Sequence, residues 1–522
     1  MVLSHVCQQW RHLAVAQPLL WCNIDISLPF VPLPRYIGSS NALNPAALAL
    51  HRADLATYRR QLGCTKDMLS TWISRSGGCP LTFTFKSWED SSTDYHDADS
   101  TSRSINDAIV DILCGASTRW KSADFDLGIF TPTSPFLRFS QLSPQDVPLL
   151  EKIRHKIEFL SNMNWDEPQI REQYMANIGL FGGPSIRTVF IDRPSPSPSS
   201  MSINWATVTN LDLDDPHYSF EATGRGVHFI TSVFKACPHL ARISMNISSP
   251  GQWQNQNDTE SYISLPLKTR ISLPNLTFVS IRGSPPPSGF ASSLQLPSLR
   301  TLSLYCTTYT LQDGQGGSGI VEWIRNFGDT IADATFLYSN LTTAALICCF
   351  EGLPNVTSLR LFDYGSLRVR ETGHPNIGSQ NPENDHDIRS YQSIVNILTP
   401  KVHVDEDGHQ CYCPKLQRFG LRMHDVDFTE EDLVAFVAAR RDSSKPTPSA
   451  LKSVIVKFNF CQRMNVREEL ERRNVDTTDL RLITKYAVAN GRFMEPDSLE
   501  AFEDLPREDR SLLSGFWVEG SD

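Results

Sequence analysis

The chain has 522 residues, 40% of them hydrophobic and 20% charged, and its formal net charge at pH 7 is −10. That length exceeds one hydrophobic core and implies several domains or an elongated stack of repeats. The acidic balance argues against nucleic-acid or membrane-surface partners, and no apolar run reaches the roughly 18–20 residues of a membrane span.

Residues 2–26 open the chain with Val2, Leu3, Val6, Cys7, Trp10, Leu13 and Ala14 at three- and four-residue intervals, which predicts one apolar helix face. Pro18 stops that helix, because it lacks the N–H and its ring clashes with the preceding turn. Trp21 follows, and Ile24 and Ile26 alternate as in a strand. Pro29, Pro32 and Pro34 mark residues 29–44 as a linker. Helices are predicted over 45–62 and 66–74, the second ended by Gly77, Gly78 and Pro80. Leu81, Phe83 and Phe85 then alternate as a strand. After a polar loop over 87–104 come a helix over 105–114 and a second strand in RWKSADFDL. Residues 149–162 read as an amphipathic helix with Leu149, Ile153, Ile157 and Leu160 on one side.

The central body carries a repeat. CPHLARISM (237–245), LPNLTFVSI (273–281), LPSLRTLSL (296–304), LPNVTSLRL (353–361) and CPKLQRFGL (413–421) share [LC]-P-x-[LV]-x-x-Φ-x-Φ, where Φ is apolar. About two such matches would arise by chance with Pro at its overall frequency. Triads beginning at Ile186, Val208 and Leu451 lack the full lead, and Ile331, Ala334 and Phe336 form a degenerate one. In such a unit the first apolar residue leads into a short strand whose alternating pair points inward, and stacked neighbours bury the core. Helices are expected between strands at 227–236, 320–327, 388–398 and 429–440, the last with a Thr429–Asp432 capping box, and at 467–474 and 480–490 near the end.

Little points to covalent chemistry. Gly314, Gly316 and Gly319 match G-x-G-x-x-G, but a long spacer separates them from the preceding strand, where a dinucleotide site needs a tight turn. His403, His409, Cys411, Cys413 and His424 cluster, yet C-x-C is not the usual zinc knuckle, and Cys413 fills a repeat position. The expectation is no metal, no cofactor and no enzyme. Twelve cysteines without a secretory leader read as free thiols of a cytoplasmic or nuclear protein.

Leu3, Ser4, Val6, Cys7, Trp10, Arg11, Ala14, Pro18, Leu20 and Trp21 spell L-S-x-V-C-x-x-W-R-x-x-A-x-x-x-P-x-L-W. This string resembles the second half of the F-box in the form common in large fungal families of F-box proteins. TWISRSGGCPLTFTF, at 71–85, is similar to the start of their repeat region. The family's upstream Leu-Pro-x-Glu segment is missing, so the sequence reads as an N-terminally truncated F-box. The resemblance implies an α/β fold: an irregular leucine-rich-repeat solenoid of parallel strands alternating with helices, preceded by a partial all-α F-box-like segment. Its divisions are 1–26 (F-box-like), 27–78 (linker and helices), 79–475 (repeats) and 476–522 (C-terminal helix and acidic tail). The implied function is substrate recognition in a cullin–RING ubiquitin ligase, with a Skp-type adaptor held by Val2, Val6, Trp10, Leu13, Pro18 and Trp21. An unknown protein client would lie on outward strand residues such as Arg300, Thr301, Ser303, Tyr305, Arg360 and Phe362. The alternative is an adaptor-independent repeat scaffold with a vestigial F-box.

Overall fold

The computed structural model describes residues 8–32, 45–88, 100–129, 134–159, 178–191, 201–213, 227–247, 270–283, 289–306, 318–338, 341, 343–362, 392–400, 411–422, 428–442, 449–458 and 460–486. Two compact units divide the chain, one of residues 1–214 with 235–239 and one of the remainder.

Among the described residues the first unit holds six parallel strands: β1 (Asn23–Ser27), β2 (Leu81–Trp88), β3 (Trp120–Ile129), β4 (Lys152–Phe159), β5 (Thr188–Ile191) and β6 (Asn210–Leu213). Each pairs with the next in sequence. The connections carry helices α1 (Gln8–Ala16), α2 (Pro45–Arg75) and α3 (Ser100–Gly115), then short 3-10 turns.

The second unit repeats the scheme with β7 (Arg242–Ile247), β9 (Phe278–Gly283), β11 (Thr301–Cys306), β12 (Asp333–Leu337), β13 (Ser358–Phe362), β14 (Arg418–Arg422), β15 (Ser453–Lys457) and β16 (Arg481–Lys485), paired in that order and all parallel. Two short strands, β8 (Ile271–Ser272) and β10 (Leu294–Gln295), form a separate parallel pair. Helices α4 (Val227–Ala236), α5 (Ser318–Phe327), α6 (Thr343–Glu351), α7 (Gln392–Leu398), α8 (Glu430–Arg441) and α9 (Val466–Arg472) complete it. Parallel strands alternating with helices are the repeat-like α/β arrangement expected from the triads.

The proline of the repeat now has a physical reason. It occupies the second position of a β-turn, where its fixed φ is already correct. The residue before it accepts the closing bond: Leu276 N–H donates to Leu273 O at 3.2 Å, Leu299 to Leu296 at 3.2 Å, Val356 to Leu353 at 3.4 Å and Leu416 to Cys413 at 3.1 Å. Both ends of each turn are buried, and two residues later the strand begins. Every triad residue from Ile186 to Val456, the degenerate set included, is at most 3% exposed. Each strand is also tied at its entry, as where Thr357 O accepts from Gln417 N–H and Arg418 N–H, both at 2.9 Å.

Three local expectations are corrected. Where a helix is expected over 149–162, Lys152–Phe159 form strand β4. Val147-Pro148-Leu149-Leu150 forms the repeat's turn, with Leu150 N–H on Val147 O at 3.2 Å, and His155 takes the third inward position. The two helices of 45–74 are one helix of 31 residues that runs through Gly63. Residues 481–485 form strand β16, not a helix. The Thr429 capping box is present: Thr429 Oγ1 accepts from Asp432 N–H at 3.3 Å, and Asp432 Oδ2 accepts from Thr429 N–H at 3.0 Å. Gly328 and Gly352 meet so closely that a Cβ on Gly328 would lie 1.8 Å from Gly352 O, which leaves no room for a side chain between those two connections.

Candidate functional site

At the N-terminus α1 leads into a 3-10 turn, Pro18–Trp21, and then β1. Trp21 is the anchor of this corner, only 6% exposed. Its Nε1–H donates to Ala14 O at 2.8 Å, its ring lies 6.3 Å from that of Trp72, and the Arg75 guanidinium sits 4.7 Å above it. One indole therefore ties α1 to the end of α2. The leucines beside it point the other way: Leu13, Leu19 and Leu20 are 53%, 74% and 55% exposed. Of the expected adaptor residues, Leu13 is exposed, Pro18 half-buried and Trp21 buried. Trp10 lies in α1 by its backbone, and Val2 and Val6 lie outside the described residues.

The strands present their second face opposite the core, because successive side chains alternate. On the first unit that face balances its own charge. Arg154 lies 3.6 Å from Asp124 and Lys156 3.2 Å from Asp126, across adjacent strands. Lys156 is also 5.4 Å from the Trp88 ring centre, and Arg154 4.6 Å from that of Phe190. Burial raises the Asp124 carboxyl above the usual carboxylate range, and Arg154 opposes that shift.

On the second unit the register lines the outward side chains into rows. A first row crosses Arg242, Phe278, Thr301, Asp333, Ser358 and Arg418. In it Arg418 Nη2 reaches past Ser358 to Asp333 at 3.0 Å. The next row is small and hydroxylic, with Ser244, Ser280, Ser303 and Thr335 all buried, until it reaches Arg360, Gly420, Ile455 and Ile483. In the last row, nearest the strand C-termini, Asn246 pairs with Arg282 and Arg282 with Tyr305, and from β12 to β16 the register runs through Leu337, Phe362, Arg422, Lys457 and Lys485. Leu337, Phe362 and Ile455 form a small apolar cluster on this face, with Tyr305 and Ile483 against it.

The expected client residues divide accordingly. Tyr305 and Arg360 are partly exposed on the face, as is Thr301. Arg300 precedes β11; it is exposed, and its Nη1–H donates to Thr330 O at 3.2 Å. Ser303 and Phe362 are withdrawn from solvent, at 7% and 6%. Arg282, Arg422, Lys457 and Lys485 were missed by the sequence reading. A signal was available for the first three: each directly follows the third apolar residue of its triad (Ile281, Leu421, Val456).

Buried titratable groups serve the core instead. His155 is buried, and desolvation pushes its imidazole down to about 4. Burial raises the Cys237, Cys349 and Cys413 thiols to about 12, so these are inert core thiols. Among the described residues, no group of three or more His, Cys, Asp or Glu is placed to hold a metal. His403 and His409 lie outside the described residues, as do Gly314 and Gly316. No protein-family model matches the chain, and no curated protein matches it.

Proposed function

We propose that this chain is a substrate-recognition subunit of a cullin–RING ubiquitin ligase, with an F-box-like segment that docks a Skp-type adaptor and a leucine-rich-repeat face that holds a protein client. The observation that carries the reading is the set of exposed leucines at 13, 19 and 20 beside a buried Trp21. Three large apolar side chains held in water by one short corner favour an apolar partner, and the anchor beneath them fixes their direction. The chain itself performs no covalent step; its work is to bring two proteins together.

The test is co-expression with a Skp-type adaptor, followed by capture of the adaptor. Capture that is lost in a Leu19→Glu, Leu20→Glu double variant supports the reading. Absence of the complex with the unaltered chain overturns it. A second reading, a repeat scaffold that needs no adaptor, draws on Trp21 itself. That motif tryptophan is spent on Trp72 and Arg75 inside the chain. It requires client capture to be unaffected by the double variant and by the adaptor.

A further inference from the structure

We propose that Cys22 and Cys79 are a modification site, at which a hydroperoxide oxidises the two thiols to a disulfide that staples β1 to the lead of β2. The inference stands apart from the ligase reading, because it concerns a bond within the chain.

The fold brings these cysteines together from distant stretches of sequence. Cys22 follows the 3-10 turn Pro18–Trp21 and stands immediately before β1, while Cys79 stands two residues before β2. Parallel pairing starts at Asn23 and Thr82, and Thr82 N–H donates to Cys22 O at 2.8 Å. Cys79 is fixed by the turn that follows α2, where its N–H donates to Ser76 O at 3.1 Å. Arg119 grips the same residue, donating to Cys79 O from Nε at 3.0 Å and from Nη2 at 2.9 Å. With both backbones held, the side chains meet, and the two thiols share a hydrogen bond. Both are free and half-buried, so a small oxidant can reach them.

The chemistry closes on these two sulfurs and one hydroperoxide. One thiolate attacks an oxygen of the O–O bond, which breaks; a sulfenic acid forms, and the alkoxide leaves as the alcohol with the thiol's proton. The second sulfur then displaces the hydroxyl, the S–S bond forms, and water leaves with the second thiol's proton. Two electrons pass from sulfur to oxygen. Burial and the neighbouring Cys79 thiol raise the Cys22 pKa, and the Arg119 guanidinium opposes them by favouring the thiolate. The core thiols differ. Cys237, Cys349 and Cys413 are buried, and burial pushes them up to about 12.

The disulfide would close a loop that contains all of α2. It would therefore take freedom chiefly from open states in which β1 has left β2. Cys22 Sγ–H now donates to Pro18 O at 3.2 Å, so oxidation also exchanges a tie inside the turn that carries Leu19 and Leu20 for one to the next strand.

The experiment treats the full chain with hydrogen peroxide, blocks the remaining thiols with iodoacetamide and maps unreduced peptides by mass spectrometry. A Cys22–Cys79 link is expected, reversed by dithiothreitol and formed before any link to the exposed Cys64 or Cys461. Hydrogen exchange on the oxidised chain is expected to slow at least about tenfold in β1. Cys79→Ser is expected to abolish both the link and the slowing. Should that variant lose its folded circular dichroism, the unaltered chain compared before and after peroxide still decides. Thiols at 22 and 79 that stay open to iodoacetamide, oxidation to two separate sulfinic acids, links to other cysteines first, or unchanged β1 exchange in the linked chain overturns the proposal. Failure of adaptor capture leaves it standing, and absence of the link leaves the ligase reading standing.

Discussion

Replacing Trp21 with Ala tests whether one indole holds the N-terminal corner. A buried indole removes roughly 150–250 Å² from water, worth about 4–6 kcal/mol at 25 cal/mol per Å². Part of that is already gained in the unfolded chain, and the gap at a terminal strand can take up water, so about 3 kcal/mol remains. The lost bond to Ala14 O falls within that figure. The strand it supports, β1, pairs among the described residues of its unit with β2 alone. In a stacked array each unit leans on its neighbours, so the loss is expected to act locally. Hydrogen exchange followed by mass spectrometry reads it directly. Amides of β1 are expected to exchange about 150-fold faster, since 1.4 kcal/mol is a factor of ten, while β3 keeps its protection. Trp21→Phe retains most of the ring and loses the N–H bond, for an effect of about 1 kcal/mol. Unchanged exchange in β1 refutes the anchoring role. An equal rise in β1 and β3 refutes the local one.

Arg440 is expected to be as costly to remove, for a different reason. Its guanidinium donates to Leu398 O at 2.6 and 3.0 Å, to Tyr412 O at 2.7 Å and to Cys413 O at 2.9 Å, and the residue is 1% exposed. Arg440→Met orphans three carbonyls at about 1–3 kcal/mol each, reduced by partial hydration to about 3–5 kcal/mol; a urea-midpoint loss under about 1 kcal/mol contradicts this account. His155 predicts a pH dependence. Its folded value of about 4 lies below the ordinary imidazole value of 6.5, so between them the unfolded chain binds the extra proton and stability falls as pH drops from about 6.5 to about 4. The loss approaches about 3 kcal/mol, and urea titrations at pH 7 and 4.5 are expected to show part of it for the wild type and much less for His155→Phe.

Most of the strand ladder could be read from the sequence, because the last two apolar residues of each triad alternate with the strand period of two and a turn stands ahead of them. Leu299, Leu302 and Leu304 are such a set. The misread segment shows the limit of that signal. Ile153 and Ile157 are four residues apart, a spacing that fits two strand periods and approximates one helical turn. The residue that decides between them, His155, sits inward as a neutral imidazole, so hydropathy alone cannot mark it. In β16 the inward pair is Leu482 and Thr484, opposite Val454 and Val456, and a threonine at the third position hides the triad. Gly63 lies between the two expected helices, yet a mid-helix glycine costs only about 1 kcal/mol, and the single helix that runs through it packs on α3.

The outward rows were harder to see for a more general reason. A parallel ladder sorts residues by position within the repeat, so side chains 20 to 60 places apart become neighbours. Arg422 and Lys457 illustrate this: they lie far apart in the sequence, and register sets them side by side. Net charge counts every residue equally and misses that sorting. A chain at −10 can therefore carry a locally cationic strip. At physiological ionic strength fields fade over about 8 Å, so a ligand lying along the strip responds to the side chains within reach more than to the total.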